Sequence, residues 1–285
     1  MNIGLVGCGY WGKILLKNLI QLGYKNITIC EKEDIDWSDV GQKFKVVKSY
    51  KDLKCETVFV VTPPEHHYEV CKYFLKKGVD VFCEKPLTLD YITSLELYKE
   101  AEKAGANLFV DWVFVYNPCV RALRKIIKER GTPKNIIANR LNYGPIRDTV
   151  SARWDLASHD VSIATYLLNK SPEKVTWVDF KRNSISMQND STVGIISYGD
   201  TNLQINASWE YGKKDRLYSL EFADGFVYWD DNDKSVIDGF ERIDIDNYSP
   251  LHKSIETFMQ GEYDTKEQRK LTLETIRILE HGSEI

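Results

Sequence analysis

The chain has 285 residues, of which 43% are hydrophobic and 12% aromatic, and a formal net charge of −4. This length allows one large domain or two of ordinary size, with enough apolar residues for well-packed cores. The slightly acidic balance, with Lys and Arg scattered among Asp and Glu, argues against nucleic acid or an anionic membrane surface as the main partner.

The N-terminus and the cysteines indicate the compartment. Met1 leads directly into a strand-like segment without a basic leader, and no stretch approaches the roughly 20 apolar residues of a membrane span. None of the six cysteines forms a CxxC pair, and most lie in apolar runs, which predicts buried reduced thiols rather than a disulfide framework. We therefore expect a soluble, cytoplasmic protein that has no membrane partner.

The first part of the chain alternates between short apolar strands and helices. The predicted strands are residues 2–7, 26–30, 57–61, 79–83 and 108–110, and the predicted helices are 11–22, 65–77 and 89–104. Each helix is followed by a glycine, as expected at a helix C-terminus. Short, continuous apolar strands are expected where helices cover both faces of a parallel sheet.

The pattern changes at Asn117-Pro118. Between residues 203 and 209 apolar side chains alternate with polar ones, which is typical of a sheet with one covered face. Hairpin turns are predicted at Gly199-Asp200 and Asp224-Gly225. Further helices are predicted over 119–130, 157–168 and 251–280.

These patterns predict an α/β protein of two domains. Residues 1–117 would form a domain with a parallel sheet covered by helices on both faces. Residues 118–285 would form a second domain with helices and a sheet that has one covered face. The sequence leaves open whether the last helices pack back on the first domain.

A glycine-rich turn, Gly7-Cys8-Gly9-Tyr10-Trp11-Gly12, follows the first predicted strand and opens the first helix. In this context Gly7 allows the tight turn, Gly9 lets the backbone approach a pyrophosphate, and Gly12 lets helix and strand pack closely. The N–H groups at the start of the helix then face the phosphates. We predict that Gly7, Gly9, Tyr10, Trp11 and Gly12 bind a dinucleotide.

Glu31 follows the second predicted strand, about 20 residues past the last glycine, where a carboxylate accepts hydrogen bonds from the adenosine ribose. A carboxylate at this point also repels a 2′-phosphate, which favours NAD over NADP. The adjacent Lys32 keeps NADP open as an alternative. The simpler interpretation of Glu31 is a solvated residue that ends a strand.

Thr62 and Pro63 follow the third predicted strand, at the sheet edge where ligands of parallel sheets bind. His66 and His67 come directly after them, at the start of a helix. No further His or Cys lies at metal-ligand spacing from this pair, so we predict no metal site. Thr62, Pro63 and His67 are instead candidates for cofactor binding.

Glu84-Lys85-Pro86 follows the fourth predicted strand, which should bring Lys85 to the same sheet edge as the glycine turn. Proline fixes φ and removes a donor, so it would orient the lysine, and a cis Lys85–Pro86 bond is conceivable. An ammonium at this edge could stabilise a developing alkoxide. The alternative is an ordinary surface lysine.

Asp155 and His159 are four residues apart and share one face if the segment is helical. Histidine is suited to moving a proton near neutral pH, and a carboxylate one turn away can raise its basicity or bind a substrate hydroxyl. The alternative is a helix-starting Asp and a polar core His.

Together these motifs resemble the glucose–fructose oxidoreductase and inositol dehydrogenase family (Gfo/Idh/MocA). The segments that resemble it are Gly7–Gly12, Thr62-Pro63 with His67, Glu84-Lys85-Pro86, Tyr116-Asn117-Pro118, Trp154–Asp160, and Ser208-Trp209 with Arg216. Gly9-Tyr10-Trp11-Gly12 and Trp154–Asp160 resemble the branch that acts on nucleotide-linked sugars. Two features depart from the family pattern: Ser158 replaces a frequent proline, and the connection between Glu31 and Tyr50 is short.

The resemblance implies that residues 1–117 form a dinucleotide-binding Rossmann domain. It implies that residues 118–285 form an α/β domain with an open, mainly antiparallel sheet, for substrate binding and oligomerisation. The protein would be an NAD(P)-dependent oxidoreductase of a sugar or nucleotide sugar, forming a homodimer or homotetramer through this sheet. It implies that Lys85, Asp155 and His159 form the active site and that Glu84 and Lys85 adjoin the cofactor. In this interpretation His159 accepts the hydroxyl proton, Lys85 holds the developing oxyanion, and Asp155 orients His159 or the ring hydroxyls.

Two other functions remain open at the level of sequence: a non-catalytic regulator that senses a dinucleotide, and a reductase of a non-sugar carbonyl or imine. The arginines just before Asp155 are also open to two interpretations. Arg140, Arg147 and Arg153 could bind a carboxylate or diphosphate of the substrate, or could simply be solvated.

Overall fold

The structure, a computed structural model, describes residues 1–182 and 185–281. The chain divides into a first unit, Met1–Trp112 with Leu251–Leu273, and a second unit, Val113–Pro250 with the C-terminal end from Glu274. Among the residues described, no helix combines the length and the apolar character that a membrane span requires.

The first part of the chain contains β1 Ile3–Val6, α1 Tyr10–Gln21, β2 Ile27–Cys30, β3 Lys45–Val47, β4 Thr57–Val60, α2 His67–Leu75, β5 Asp80–Glu84, α3 Tyr91–Ala104 and β6 Leu108–Asp111. It continues with α4 Pro118–Arg130, β7 Asn135–Tyr143, α5 Ser158–Leu168, β8 Lys174–Phe180, β9 Ser191–Ser197, β10 Asn202–Ser208, β11 Glu210–Asp215, β12 Leu217–Phe222, β13 Gly225–Asp230, β14 Ser235–Asp238, β15 Glu241–Ile243, α6 Pro250–Gln260 and α7 Thr265–Glu280.

The first unit is built on a parallel six-stranded sheet in the order β3-β2-β1-β4-β5-β6. The predicted parallel sheet is confirmed, and every residue of β1, β4 and β6 is buried, as the apolar runs indicated. Because the strands are parallel, their carboxyl ends meet at one edge. Strand β3 was not predicted, since it has only three residues, two of them exposed.

The core of this unit contains a cluster of phenylalanine rings. Phe59 and Phe82 lie on neighbouring strands with ring centroids 4.8 Å apart, and Phe109 stacks on Phe82 at 5.3 Å. Phe258 of α6 packs against Phe59 at 5.8 Å and against Phe82 at 5.5 Å. Helix α6 therefore covers the first sheet through this aromatic contact.

Helix α3 begins two residues later than the apolar pattern predicted. The Asp90 carboxylate accepts a hydrogen bond from the Thr93 N–H at 2.7 Å, which makes Asp90 the N-cap and Tyr91 the first helical residue. The predicted helix 251–280 is in fact two helices, α6 and α7. The break contains Gly261, whose φ of +68° is incompatible with a continuous helix.

The second unit contains a mixed sheet of nine strands in the order β15-β14-β13-β12-β7-β10-β9-β8, with β11 also paired to β7. The predicted open, mainly antiparallel sheet is confirmed, although β10 and β7 pair in parallel. Gly199-Asp200 joins β9 to β10 and Asp224-Gly225 joins β12 to β13, so both predicted hairpins are confirmed.

Only one face of this sheet is deeply buried. Trp177 and Trp229 on that face are 0% and 1% exposed, and the indole N–H of Trp177 donates to the Ile278 carbonyl at 2.9 Å. On the other face Ile137 and Ile195 remain 44% and 48% exposed. The two faces explain the period-two pattern from which the sheet was predicted.

Candidate functional site

The glycine turn leaves bare backbone at the carboxyl edge of the first sheet. Gly7 has φ +91°, and a Cβ there would lie 2.6 Å from the Val61 carbonyl oxygen. A Cβ on Gly12 would overlap the Gly7 carbonyl, whereas one on Gly9 would meet no atom within 4 Å. Gly7 and Gly12 are therefore required by packing, while Gly9 faces the open space that an approaching pyrophosphate needs.

The N-terminus of α1 suits the same ligand. Among the described residues, no side chain caps the first turn of α1, and no residue in that turn is acidic. Its N–H groups and the positive end of the helix dipole are thus available to an anion. Tyr10 and Trp11 on this turn are 83% and 38% exposed. The turn therefore fits the phosphates of a dinucleotide.

Glu31 is fixed to the glycine turn. Its Oε2 accepts a hydrogen bond from the Cys8 N–H at 2.7 Å, and its Oε1 accepts from the Lys32 and Glu33 N–H groups at 2.7 and 3.2 Å. Glu31 is therefore not a freely solvated strand end, because its carboxylate is held against the loop that would bind the phosphates.

His67 links two loops at this edge. Its side chain is fully buried, with Nδ1 2.8 Å from the Pro86 carbonyl oxygen and Nε2 2.7 Å from the Thr62 carbonyl oxygen. Burial lowers the pKa of His67, opposed by hydrogen bonds to these carbonyls. The structure thus places His67 behind Thr62 and Pro86, with both ring nitrogens engaged by backbone, whereas Pro63 is exposed.

Lys85 follows β5 directly at the carboxyl edge, and its peptide bond to Pro86 is cis. The Lys85 side chain is half-buried. Glu84, the last residue of β5, accepts a hydrogen bond from the Trp11 indole N–H at 2.5 Å. The glycine turn and the Glu84-Lys85-Pro86 motif, which are far apart in sequence, are therefore joined by a direct hydrogen bond.

A second buried carboxyl group lies beside Glu84. Asp111 is its register partner on β6, is 1% exposed, and accepts a hydrogen bond from the Ser254 hydroxyl at 2.6 Å. Burial raises the pKa of Glu84 to about 7, against lowering by Trp11 and Lys85. Burial, and then the charge of Glu84, raise the pKa of Asp111 well above its ordinary value. The only sequence hint of this pair was an aspartate that ends the apolar strand β6.

This pair predicts a pH dependence of stability. A raised carboxyl pKa means that the folded protein binds more protons than the unfolded chain, so the stability from Glu84 is fully present below its ordinary pKa of 4.5 and is lost as pH rises through about 7. Between pH 4.5 and about 7, we expect the Tm of the wild-type protein without NAD to fall relative to the Tm of the Glu84→Gln variant. The exposed Glu69→Gln should follow the wild type, and parallel Tm curves for wild type and Glu84→Gln would contradict the prediction.

Asp155 and His159 lie on either side of a change in helix type. Arg153–Ala157 form one π-helical turn, in which the Ser158 N–H reaches back to the Arg153 carbonyl, and α5 begins at Ser158. Such turns occur frequently at functional sites. The predicted helical segment is thus present, but it begins with a wider turn that repositions Asp155.

The neighbours of this pair belong to the second unit. The imidazole of His159 packs edge-on against Phe114, with ring centroids 4.8 Å apart. The guanidinium of Arg140 also lies over the Phe114 ring, 4.5 Å from its centroid. Arg147 Nε lies 3.6 Å from Asp155 Oδ2, and the Arg147 side chain is 51% exposed.

The three arginines before Asp155 therefore differ in role. Arg140 is 3% exposed and donates to both carboxylate oxygens of Asp160, at 2.9 and 2.7 Å. Arg153 is paired with Asp179 and donates to the carbonyls of Leu279 and His281. Both are structural in these contacts, and Arg147 alone of the three is largely exposed.

The buried Arg140–Asp160 pair predicts a large loss of stability in one variant. Arg140→Met leaves the Asp160 carboxylate buried without its partner, and we expect the free energy of unfolding to fall by about 3–5 kcal/mol. Urea unfolding followed by tryptophan fluorescence measures this change. The double variant Arg140→Met/Asp160→Leu should recover part of the loss, and an unchanged midpoint for the single variant would refute the prediction.

All six cysteines are free, and every one except the half-buried Cys55 is buried. Within residues 1–182 and 185–281, no three His, Cys, Asp or Glu side chains are grouped so that they could hold a metal ion.

A parallel sheet of this strand order, with a glycine-rich turn after its first strand, is typical of dinucleotide-binding domains. Residues 1–112 match the Gfo/Idh/MocA oxidoreductase family, described as having an NAD-binding Rossmann fold. The match covers this N-terminal part of the chain and agrees with the resemblance that the motifs indicated.

Comparisons with known proteins extend the likeness. The 2,7-anhydro-N-acetylneuraminate hydratase of Escherichia coli K12 is 25% identical over 197 residues, covering 62% of this chain and 52% of that protein. The myo-inositol 2-dehydrogenase of Thermotoga maritima is 25% identical over 192 residues, covering 61% of this chain and 57% of that protein. The match thus spans little more than half the length of these curated relatives.

A solved structure, the UDP-N-acetylglucosamine 3-dehydrogenase GnnA of Acidithiobacillus ferrooxidans, aligns over 98% of this chain and 96% of its own, with a TM-score of 0.85. At 19% identity, this likeness establishes the shared fold.

Proposed function

We propose that this protein is an NAD-dependent oxidoreductase that transfers a hydride between nicotinamide and a hydroxyl or ketone carbon of a sugar. The observation that carries the proposal is the glycine turn, open at Gly9 and joined to the Glu31 carboxylate, within the segment that matches an NAD-binding family. The same turn is hydrogen-bonded to Glu84, next to the candidate catalytic Lys85.

NAD, when bound, supplies the hydride chemistry, and the residues of the chain bind, orient and move protons. Gly7, Gly9, Gly12 and the first turn of α1 would hold the pyrophosphate, with Tyr10 and Trp11 beside it. Glu31 would accept hydrogen bonds from the adenosine ribose, which favours NAD over NADP. Thr62, Pro63 and Glu84 would border the nicotinamide half, with His67 holding their loops.

Three side chains would act on the substrate. In the oxidation direction, His159 accepts the hydroxyl proton as the carbon loses its hydride. The ammonium of Lys85 donates a hydrogen bond to the reacting oxygen and stabilises its developing negative charge. Asp155 orients the His159 imidazole or binds a neighbouring ring hydroxyl.

The substrate class rests on the relatives. Those described above act on inositol, on an anhydro sugar acid and on a nucleotide sugar. Sugars and nucleotide sugars are therefore our first substrates to test. We further propose a cytoplasmic homodimer or homotetramer that uses the half-exposed face of the second sheet.

The test is turnover with NAD and a panel of sugars, inositols and nucleotide sugars, followed by NADH fluorescence and by the mass of the product. We expect NADH and a product lighter by two hydrogens, with NAD preferred over NADP. NAD binding without turnover of any sugar, in either direction, would instead support a dinucleotide-sensing regulator.

A second candidate is hydration of a sugar, because the Escherichia coli relative is a hydratase. The same product analysis separates the two functions. Hydration yields a product heavier by one water, without net formation of NADH.

A further inference from the structure

Two carboxyl groups lie side by side in the buried part of the carboxyl edge of the first sheet. Strand register sets Glu84 of β5 beside Asp111 of β6, and the two residues are 9% and 1% exposed. Register partners on neighbouring parallel strands project to the same face of the sheet. Two carboxylates with so little hydration repel each other, which favours a state in which the pair keeps one proton and carries one negative charge.

The hydrogen-bond partners of the two groups decide which of them keeps the proton. Glu84 accepts the Trp11 indole N–H at 2.5 Å and is followed by the Lys85 ammonium, and both partners favour its ionised form. Asp111 accepts from the Ser254 hydroxyl through Oδ1, whereas its Oδ2 is buried without a hydrogen-bond partner in residues 1–182 and 185–281. A charge on that oxygen would be uncompensated. The proton therefore belongs on Asp111 and the negative charge on Glu84.

The surroundings of the pair make Glu84 the group that titrates near neutral pH. Burial raises the pKa of Glu84 to about 7, against the two partners that favour its charged form. Burial, followed by the charge of Glu84, raises the pKa of Asp111 well above its ordinary value. Burial, followed by Cys71 and Glu84, also raises the pKa of Cys83, the preceding residue of β5. Asp111 and Cys83 therefore stay neutral while Glu84 changes its charge.

The hydrogen bond from Trp11 holds the Glu84 carboxyl group against the glycine turn, beside the proposed place of the nicotinamide. The nicotinamide ring is cationic in NAD and neutral in NADH, so a fixed negative charge nearby attracts only the oxidised ring. We propose that Asp111 is a positioning residue of the cofactor site, which keeps the proton of the pair so that ionised Glu84 favours NAD over NADH. This inference rests on the proposed function and adds to it a proton-linked preference for the oxidised cofactor.

The experiment measures cofactor affinity between about pH 5.5 and 8.5, by calorimetry for NAD and by fluorescence titration for NADH. We expect the affinity for NAD to rise about 5-fold or more as pH increases through about 7, because the ionised Glu84 carboxylate attracts the cationic ring. The affinity for NADH should lack this rise. Below about pH 7, NAD binding should also release protons, which calorimetry in two buffers of different ionisation enthalpy detects.

Variants connect this dependence to the pair. Glu84→Gln should abolish both the rise in NAD affinity and the proton release, because it removes the titrating charge. Asp111→Asn reproduces the shape and the charge of a protonated Asp111, so its pH midpoint should stay within about 0.5 pH unit of that of the wild type. If Asp111 were ionised, the same variant would remove a negative charge beside Glu84, and the midpoint would fall by about one pH unit or more.

Two exposed residues of the same unit provide the controls. Glu69→Gln removes a carboxylate from α2, and His66→Gln removes a histidine that could itself titrate in this pH range. Both variants should match the wild type in the ratio of NAD affinity to NADH affinity at every pH. Loss of the pH dependence in His66→Gln would assign the titration to that histidine and contradict the proposal.

A ratio that does not change with pH, or that still changes in Glu84→Gln, would also overturn the proposal, and so would a lowered midpoint in Asp111→Asn. The wild-type measurements test it even if a variant fails to fold. Failure of the proposed function gives different results. Sugar oxidation with a pH-independent ratio would keep the oxidoreductase and remove the role of Asp111, whereas a pH-linked ratio without turnover of any sugar would do the reverse. Absence of NAD binding would overturn both.

Discussion

Replacing Lys85 with Met will lower kcat for sugar oxidation on the order of 10²- to 10³-fold, because it removes the donor that stabilises the developing oxyanion. The site places this ammonium directly after the buried Glu84, and the next residue, Pro86, is held by the ring of His67. NAD affinity should change little, because the glycine turn and Glu31 remain intact. Steady-state kinetics and NAD titration by fluorescence measure the two effects.

The matched control is Lys103→Met, which removes an exposed lysine from α3 in the same unit. It should retain wild-type turnover. If Lys85→Met also retained full turnover on a substrate of the wild type, Lys85 would have no part in the chemistry. The catalytic roles proposed above would then be wrong.

Replacing His159 with Gln will lower kcat about 10²- to 10⁴-fold, because the hydroxyl then loses its proton acceptor. A histidine that accepts a proton must be neutral, so oxidation by the wild type should fall on the acidic side of the pH profile. The variant should lose this dependence. Rate measurements across pH, with and without added imidazole, test the role, and imidazole should restore part of the rate.

His252→Gln, on α6, is the control and should keep the pH profile of the wild type. If the rate of His159→Gln still falls at acidic pH as the wild-type rate does, another group must accept the proton. A loss of activity that imidazole does not restore, together with a lowered Tm, would indicate that His159 is structural.

Most of the fold could be predicted because the local order of apolar and polar residues reflects which side chains are buried. The continuous apolar strands of the first unit and the alternation at 203–209 each identified a sheet of the correct kind. Strand β7 escaped prediction since its core face contains Arg140, whose charge interrupts the apolar pattern. Its partner Asp160 lies 20 residues away, and no local pattern indicates such a pairing.

The sequence identifies the candidate site residues, which stay a prediction, but it indicates few of the contacts that these residues make in the structure. The glycine turn was identified from spacing, but the bond from Trp11 to Glu84 joins residues 73 positions apart. The pairing of Glu84 with Asp111 likewise depends on strand register. His67 was predicted to bind cofactor, yet its ring lies between two backbone carbonyls, a burial that the short sequence motif does not indicate.

The central claim is that Lys85 and His159 act together in one hydride-transfer step, and a double-mutant cycle on kcat tests it most directly. Groups that act as a unit show strongly non-additive losses. With a substrate that the wild type oxidises, the account predicts that Lys85→Met/His159→Gln is little slower than the slower single variant. If the fold losses in kcat of the two single variants simply multiply in the double variant, the central claim is contradicted.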